Sequence, residues 1–187
     1  MEETIPVKAG TLVLLYPQWG PGRHSPFRNL VRFAGLKLSV QGKAISWKRD
    51  LEDMFAFHLT VPAGVGEIKA EFRYLTVTAP APGRQEISNN ILDLQFTGLV
   101  LYPAGYKMDG IQITATVRLP DGWKSTTALE PSGANGSVIT YRKTDLTTLV
   151  HSPVMAGSHF KQFDLAPGAT IPVQLRRIRR DGRGSRN

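Results

Sequence analysis

A strict alternation of apolar and polar residues is the feature that most constrains how this chain folds. Over Ile111–Leu119, with the sequence IQITATVRL, every second side chain is apolar. Successive side chains of a β-strand point to opposite faces of a sheet, so the pattern predicts a strand with one buried and one solvated face. The chain is therefore expected to fold around sheets.

Shorter segments of the same kind recur along the chain, and Pro, Gly, Asn and Asp separate them. Leu36–Val40 and Ala44–Trp47 predict a hairpin that turns at Gly42, and Asn135-Gly136 predicts a second hairpin turn. Further strands are predicted at Phe55–Val61, Ile68–Tyr74, Leu92–Phe96, Leu99–Tyr102, Ser137–Tyr141, Phe160–Leu165 and Ile171–Leu175.

Helical periodicity is almost absent from the sequence. Ser25–Phe33 and Asp145–Val150 predict at most a turn or two each, which is too little to carry a fold. Many short strands with turn residues between them are typical of sandwiches and barrels. We predict an all-β fold, an antiparallel β-sandwich of about nine or ten short strands with at most one or two short helices.

The positive charge of the chain is concentrated at its C-terminal end. The 187 residues carry a net charge of +8, and residues 176–187, RRIRRDGRGSRN, contribute +5 of it. A Gly- and Arg-rich segment without an apolar period is expected to be disordered, and a nucleic-acid binder would carry its basic surface on the folded domain. We predict one domain over residues 1–175 and a basic, disordered tail over 176–187, and we do not expect nucleic acid as a partner.

The sequence lacks the residue patterns of the common catalytic and metal sites. It contains no Cys, which excludes a thiolate zinc site and a cysteine nucleophile. None of its four histidines lies in an H-E-x-x-H motif, and Ser152 beside His151 does not have the spacing of a catalytic triad. We expect no catalytic residue, metal site or cofactor in this chain.

A Pro- and Gly-rich segment, Tyr16–Phe27 (YPQWGPGRHSPF), follows an apolar strand and sets a tight path from which Trp19 projects. Two interpretations are open at this point. Trp19 plugs one end of the sandwich, or Trp19, Arg23 and His24 face a neighbouring domain or line a cleft.

Six segments, taken in order, carry a resemblance to a known family. They are Tyr16–Gly22 (YPQWGPG), Leu36–Trp47, Ala56–Gly64, Leu99–Tyr106 (LVLYPAGY), Leu119–Trp123 (LPDGW) and Leu149–Gly157 (LVHSPVMAG). Together they resemble the N-terminal domain of the M61 glycyl aminopeptidases over roughly residues 5–173. The chain departs from the family in having His151 where Asp precedes Ser-Pro-Val, and in running beyond Leu175 into the Arg-rich tail, an ending that resembles a truncation or a shifted reading frame.

This resemblance implies a β-sandwich that, in full-length enzymes, precedes a thermolysin-like zinc catalytic domain and a PDZ domain. Those enzymes are metallo-aminopeptidases that release small N-terminal residues such as Gly and Ala, and their H-E-x-x-H helix lies in the second domain. The resemblance therefore implies a noncatalytic domain that packs on the catalytic domain, the partner that holds the zinc, and helps wall its active site. The candidate interface or cleft-lining residues are Trp19, Arg23, His24, Tyr102 and Tyr106.

A second interpretation is an independent module that binds peptide or carbohydrate on exposed aromatic rings. Rings exposed in one coplanar row would favour it, and buried rings would count against it. No apolar run approaches the roughly 20 residues of a membrane span, so we expect no membrane insertion. The start of the chain has no secretory signal, which predicts a cytoplasmic location as written, although the family that it resembles is often exported.

Overall fold

The structure is a computed structural model that describes residues 1–19, 28–76, 87–165 and 174–179. Within these ranges the chain forms eighteen strands, one α-helix and three 3₁₀ turns. The strands are β1 (Glu2–Pro6), β2 (Gly10–Leu15), β3 (Phe33–Val40), β4 (Lys43–Ile45), β5 (Trp47–Arg49), β6 (Ala56–Val61), β7 (Glu67–Tyr74), β8 (Ile91–Leu94), β9 (Tyr102–Pro103), β10 (Gln112–Ile113), β11 (Thr116–Arg118), β12 (Lys124–Thr126), β13 (Pro131–Asn135), β14 (Val138–Tyr141), β15 (Thr144–Asp145), β16 (Val154–Gly157), β17 (His159–Asp164) and β18 (Gln174–Arg179). The helix is α1 (Leu146–His151), and the 3₁₀ turns are Arg28–Arg32, Phe96–Gly98 and Met108–Gly110.

No helix in the described part of the chain has the length and apolar character that crossing a membrane requires.

The chain divides into two compact units that alternate along the sequence. The first comprises Met1–Leu75 and Phe96–Ile111, and the second comprises Thr76–Gln95 and Gln112–Asn187. The sequence predicted one domain over residues 1–175. Alternation marks where strands lie but not which strands pack together, so it gave no signal for this division.

The first unit is a β-sandwich of two four-stranded antiparallel sheets. Sheet I has the strand order β1-β7-β3-β4, and sheet II has the order β5-β6-β2-β9. The alternation in β6 shows how the sheets face each other, because Phe57 and Leu59 are buried while His58 and Thr60 lie on the outer side. The predicted all-β, antiparallel sandwich is confirmed.

An aromatic cluster fills the space between the two sheets of the first unit. The ring centroid of Phe33 lies 4.9 Å from that of Tyr16, 5.5 Å from that of Phe57 and 4.8 Å from that of Phe72. Trp47 meets the Phe57 ring edge-on at 5.3 Å. Fully burying one such side chain contributes roughly 1.5–3 kcal/mol, so this cluster holds sheet I against sheet II.

The predicted β3–β4 hairpin is confirmed, and its turn has two residues. Val40 pairs with Lys43, which leaves Gln41 and Gly42 at φ angles of 48° and 79°. Positive φ at both central positions is typical of a type I′ turn, whose twist matches that of the flanking strands. The predicted turn after Asn135 is confirmed as well, since Asn135 pairs with Val138 across it.

The second unit consists of small antiparallel sheets and α1. Its sheets have the orders β12-β16-β8, β11-β14-β13, β10-β15 and β17-β18. Helix α1, predicted at Asp145–Val150, begins where the Asp145 carboxylate accepts a 2.8 Å hydrogen bond from the Thr148 N–H. Such a cap satisfies one of the N–H groups that the first helical turn leaves unpaired. Leu146 and Leu149 of the helix are buried.

The strands are shorter and more numerous than the predicted nine or ten. Ile111–Leu119 was expected to form one strand but forms β10 and β11, which pair with β15 and β14. The pairing register shifts by one residue between these two partners, because Ile113 pairs with Thr144 whereas Thr116 pairs with Thr140, so the long strand is interrupted.

The C-terminal end also differs from the expectation. Disorder was predicted from residue 176, whereas Gln174–Arg179 form β18, which pairs with β17. A backbone ladder needs no apolar period, so composition alone does not exclude a strand. Residues 180–187 of the predicted tail lie outside the described residues.

Candidate docking surface

The ends of several strands meet at one end of the first unit. The contact between the rings of Tyr16, just after β2, and Phe33, at the start of β3, places those two strand ends together. Strand β6 is antiparallel to β2, and β7 is antiparallel to β3. The β5–β6 turn and the residues after β7 therefore lie at this same end of the sandwich.

Two backbone hydrogen bonds tie these segments to each other. The Tyr16 N–H donates to the Phe55 carbonyl at 2.9 Å, and the Leu75 N–H donates to the Arg32 carbonyl at 2.8 Å. The segments that follow β2 and β7 are thus attached to the segments that precede β6 and β3.

This end of the first unit exposes large apolar side chains. Leu51 is fully exposed, Val31 is 84 % exposed, and more than half of the surface of Trp19, Met54 and Leu75 is exposed. We call this surface the apolar end and define it by Trp19, Val31, Leu51, Met54 and Leu75. Single exposed apolar residues are normal on a protein surface, but a group of them at one place marks an interaction site.

The outer face of sheet I has a different character. The Lys69 ammonium lies 3.1 Å from the Glu2 carboxylate and 3.4 Å from the Glu71 carboxylate. All three side chains are well exposed. A face covered by exposed ion pairs is suited to water, so it does not compete with the apolar end as a docking surface.

The Asp50 carboxylate binds two backbone N–H groups of the β5–β6 turn within the apolar end. Asp50 Oδ1 accepts hydrogen bonds from the N–H groups of Glu52 and Asp53 at 2.8 and 2.9 Å. Asp50 Oδ2 lies 2.7 Å from His58 Nε2. The two backbone N–H groups, followed by His58, hold the pKa of Asp50 at about 2, well below its usual range.

A strap, Phe96–Leu101, is attached to the first unit by two side chains from its N-terminal strands. The Tyr16 hydroxyl donates to the Gly98 carbonyl at 2.9 Å. Both carboxylate oxygens of Glu3 lie 3.1 Å from the Leu101 N–H. Burial raises the pKa of Glu3 to about 8, although the Leu101 N–H and the N-terminal amine favour its charged form. Burial likewise raises the pKa of the Tyr16 hydroxyl.

The structure distributes the predicted interface residues over both ends of the sandwich. Trp19 is more than half exposed, so the interpretation that it plugs the sandwich is wrong. Tyr102 is half-buried, and its pKa is raised by burial and by the negative charge of Asp53, which places it beside the β5–β6 turn. Arg23 and His24 lie outside the described residues.

Tyr106 lies apart from Trp19. In the antiparallel β2–β9 pair, Leu15 is opposite Tyr102, so the chain leaves β2 toward Trp19 at one end and leaves β9 toward Tyr106 at the other. Both rings are exposed, but they do not form one row. The arrangement does not favour binding of a peptide or sugar along an aromatic row.

Sequence reasoning missed most of the apolar end. Val31, Leu51, Met54 and Leu75 lie at the ends of strands or in turns, where apolar periodicity does not show which side chains are exposed. Asp50, Glu52 and Asp53 form a turn between β5 and β6, and only the structure shows that this turn presents Leu51 and Met54.

The described residues offer no cluster of three or more His, Cys, Asp or Glu side chains that could hold a metal ion, so we assign no zinc to them. In the second unit, Ser152 Oγ donates to the Thr148 carbonyl and His151 Nδ1 lies 2.7 Å from the Thr147 carbonyl. These two side chains therefore bind helix carbonyls and do not form a nucleophile and base pair.

The fold defines the chain as a β-rich, sandwich-type domain. The sequence matches the Peptidase M61 N-terminal domain over residues 1–158. The chain therefore belongs to the peptidase M61 family, of which it represents the N-terminal domain, and the resemblance found in the sequence is confirmed.

Two solved structures are similar to the chain. One is an aminopeptidase N family protein from Idiomarina loihiensis, with a TM-score of 0.77 and 16 % identity, and the match covers 94 % of this chain and 29 % of that chain. The other is an M1 zinc metallopeptidase from Deinococcus radiodurans, with a TM-score of 0.43 and 12 % identity, covering 95 % of this chain and 42 % of that chain. The chain thus spans less than half the length of either protein. No curated protein sequence matches it.

Proposed function

We propose that this chain is the noncatalytic N-terminal β-domain of an M61-type zinc aminopeptidase, that it packs on the catalytic domain, and that it helps wall the active site. The parent activity is release of small N-terminal residues such as Gly and Ala, with zinc held by the catalytic domain. Membership of the family supports this proposal. So does the Idiomarina loihiensis structure, in which the shared fold occupies 29 % of a longer chain.

The apolar end is the observation that carries the proposal. Trp19, Val31, Leu51, Met54 and Leu75 are exposed at one end of an otherwise well-buried sandwich. Burying apolar surface contributes about 25 cal/mol per Å², so a partner that covers this end gains affinity from it. A catalytic domain seated there would also lie beside Tyr102, which could then face the substrate cleft.

The exposed charges of the first unit also favour docking at the apolar end. The ion pairs of Glu2, Lys69 and Glu71 cover the outer face of sheet I, where a buried interface would have to desolvate them. Docking at the apolar end leaves these groups in water.

Domain exchange tests the proposal. In a full-length M61 peptidase, the N-terminal domain is replaced by this chain, and hydrolysis of Gly-, Ala- and Leu-aminoacyl amides is measured. The peptidase without an N-terminal domain and the chain alone serve as controls. We expect the chain alone to be inactive and the exchanged enzyme to hydrolyse the Gly and Ala substrates faster than the enzyme that lacks the domain. Equal rates for the exchanged and the domainless enzyme would contradict the proposal.

A further inference from the structure

Leu51 is an unusual residue because it is fully exposed on a well-ordered turn. It lies between β5 and β6, and Met54, three residues later, is more than half exposed. An apolar side chain in this position gains nothing from the fold of its own chain. We therefore expect Leu51 to contribute to the binding of a partner at this turn.

Hydrogen bonds hold the turn from both ends. The Asp50 N–H donates to the Ala56 carbonyl and the Ala56 N–H donates to the Asp53 carbonyl, both at 3.0 Å. Asp53 Oδ1 accepts the Phe55 N–H at 3.0 Å, in addition to the two N–H groups that Asp50 binds. The path of the backbone around Leu51 is therefore set before any partner arrives.

A preformed loop binds at a lower entropic cost than a mobile one. Ordering a flexible loop and its side chains consumes part of the binding energy, and a rigid loop avoids that loss. Exposed apolar side chains on a rigid loop are well suited to fill a pocket on a partner, where a few such residues dominate affinity.

We propose that Asp50–Phe55 is a preformed docking loop that inserts Leu51 and Met54 into an apolar pocket of the catalytic domain, with Asp50 as the residue that positions the loop. The inference rests on the proposed function and assigns its interface to one loop. The pocket would carry basic side chains, because the acidic residues Glu52 and Asp53 lie between the two apolar anchors.

Charge favours the catalytic domain over a second copy of this chain as the occupant. A symmetric dimer through the apolar end would place the same surface patch against itself. The acidic loops of the two copies would then meet, and juxtaposed like charges oppose association. In the similar Idiomarina loihiensis protein, the matching fold makes up 29 % of a longer chain. The rest of a longer chain of this kind would be the partner for the apolar end.

The test measures binding of the full 187-residue chain to the catalytic segment of an M61 peptidase expressed without its N-terminal domain. Leu51→Asp and Met54→Asp are compared with Thr4→Asp, which changes an exposed residue opposite Lys69 on the outer face of sheet I. We expect about a tenfold or greater loss of affinity for each loop variant, and wild-type affinity for Thr4→Asp. Circular dichroism confirms that all three variants are folded.

Asp50 is tested by two further variants. Asp50→Asn keeps an acceptor for the N–H groups of Glu52 and Asp53, whereas Asp50→Ala removes it. We expect Asp50→Ala to weaken binding several-fold and Asp50→Asn to restore most of it. In the wild-type complex, hydrogen exchange of residues 50–55 should be slower than in the free chain.

The outcomes separate this inference from the proposed function. Wild-type binding that Leu51→Asp and Thr4→Asp leave equally intact would overturn the docking loop and leave the proposed function standing. Absence of any wild-type binding, or a dimer of this chain that Leu51→Asp dissociates, would overturn both.

Discussion

Single residues of this domain combine several roles, and Asp50 shows how. Its Oδ1 binds two backbone N–H groups while its Oδ2 meets the His58 ring. The carboxylate is partly exposed, so water screens its attraction to the His58 ring. The backbone donors, whose geometry is set by the turn, therefore dominate its ionisation.

A titration of Asp50 by NMR tests whether the backbone N–H groups lower its pKa more than His58 does. We expect a midpoint near pH 2 in the wild-type chain, and a midpoint still below the ordinary 3.8 in His58→Ala, because the N–H groups of Glu52 and Asp53 remain. The folded pKa is depressed, so stability from this carboxylate is present above about pH 3.8 and is lost as the pH falls through 2. Return of the midpoint to 3.8 in His58→Ala would show that the ion pair, and not the backbone, sets it.

Neighbouring positions on β6 should respond very differently to truncation. Phe57 is fully buried and contacts the rings of Phe33 and Trp47, whereas His58 faces outward. We expect Phe57→Ala to lower the free energy of unfolding by about 3–5 kcal/mol, and His58→Ala to change it by less than about 0.5 kcal/mol. Urea unfolding measures both. Similar losses for the two variants would contradict the inward and outward assignment of the strand.

At the scale of elements, the sequence predicted which face of a strand is buried better than it predicted which strands pair. The alternation over Phe55–Val61 identified the buried side of β6, and Gly42 located the β3–β4 turn. The same reasoning merged β10 with β11, because the pattern of one strand does not show that its pairing register shifts between two partners. It also missed the apolar end, since that surface joins segments that are distant in sequence.

The β3–β4 turn offers a stabilising change. Gln41 adopts a φ of 48°, a left-handed conformation that Asn tolerates better than Gln. We expect Gln41→Asn to raise the free energy of unfolding by up to about 1 kcal/mol. Gln41→Val serves as the control, because a β-branched residue is strained at positive φ, and it should lower stability in the same urea assay. Loss of stability in Gln41→Asn would argue against the type I′ turn.

Glu3 makes the attachment of the strap sensitive to pH. Because its folded pKa of about 8 lies above the ordinary 4.5, the folded state binds more protons than the unfolded state between these values. The stability that Glu3 contributes is thus fully present below pH 4.5 and lost as the pH rises through 8. We expect wild type to lose roughly 1.4 kcal/mol per pH unit relative to Glu3→Gln between about pH 5 and 8.

The control for this prediction is Glu2→Gln, which changes an exposed carboxylate on the same strand. Its unfolding free energy should follow that of wild type across the pH range. Parallel curves for wild type and Glu3→Gln would mean that the Glu3 carboxylate is solvated and not buried.

At the scale of the whole molecule, the two units cannot be separated by a single cut, because each contains two stretches of chain. The first unit needs Phe96–Ile111 in addition to Met1–Leu75. That second stretch supplies β9 as well as the partners of Tyr16 and Glu3.

A fragment of residues 1–75 should therefore fail to fold cooperatively. Without residues 96–111, the first unit loses β9 and the buried Leu101 of its core, and the Tyr16 hydroxyl and the Glu3 carboxyl lose their hydrogen-bond partners. We expect no cooperative transition for this fragment when Trp47 fluorescence is followed in urea, and a clear transition for the full chain. A cooperative transition of the short fragment would contradict the need for Phe96–Leu101.

The attachment of the strap also sets the order of events on the ribosome. Gly98 and Leu101 lie 82 and 98 residues after the side chains that bind them. At about 5–20 residues per second, roughly 1–5 s pass between synthesis of Leu75 and synthesis of Leu101. The nascent polypeptide therefore spends seconds with seven strands made and their closing strand, β9, not yet synthesised. The first unit cannot complete its fold until Phe96–Ile111 have been translated. A chaperone that binds emerging chains would find its substrate in that interval.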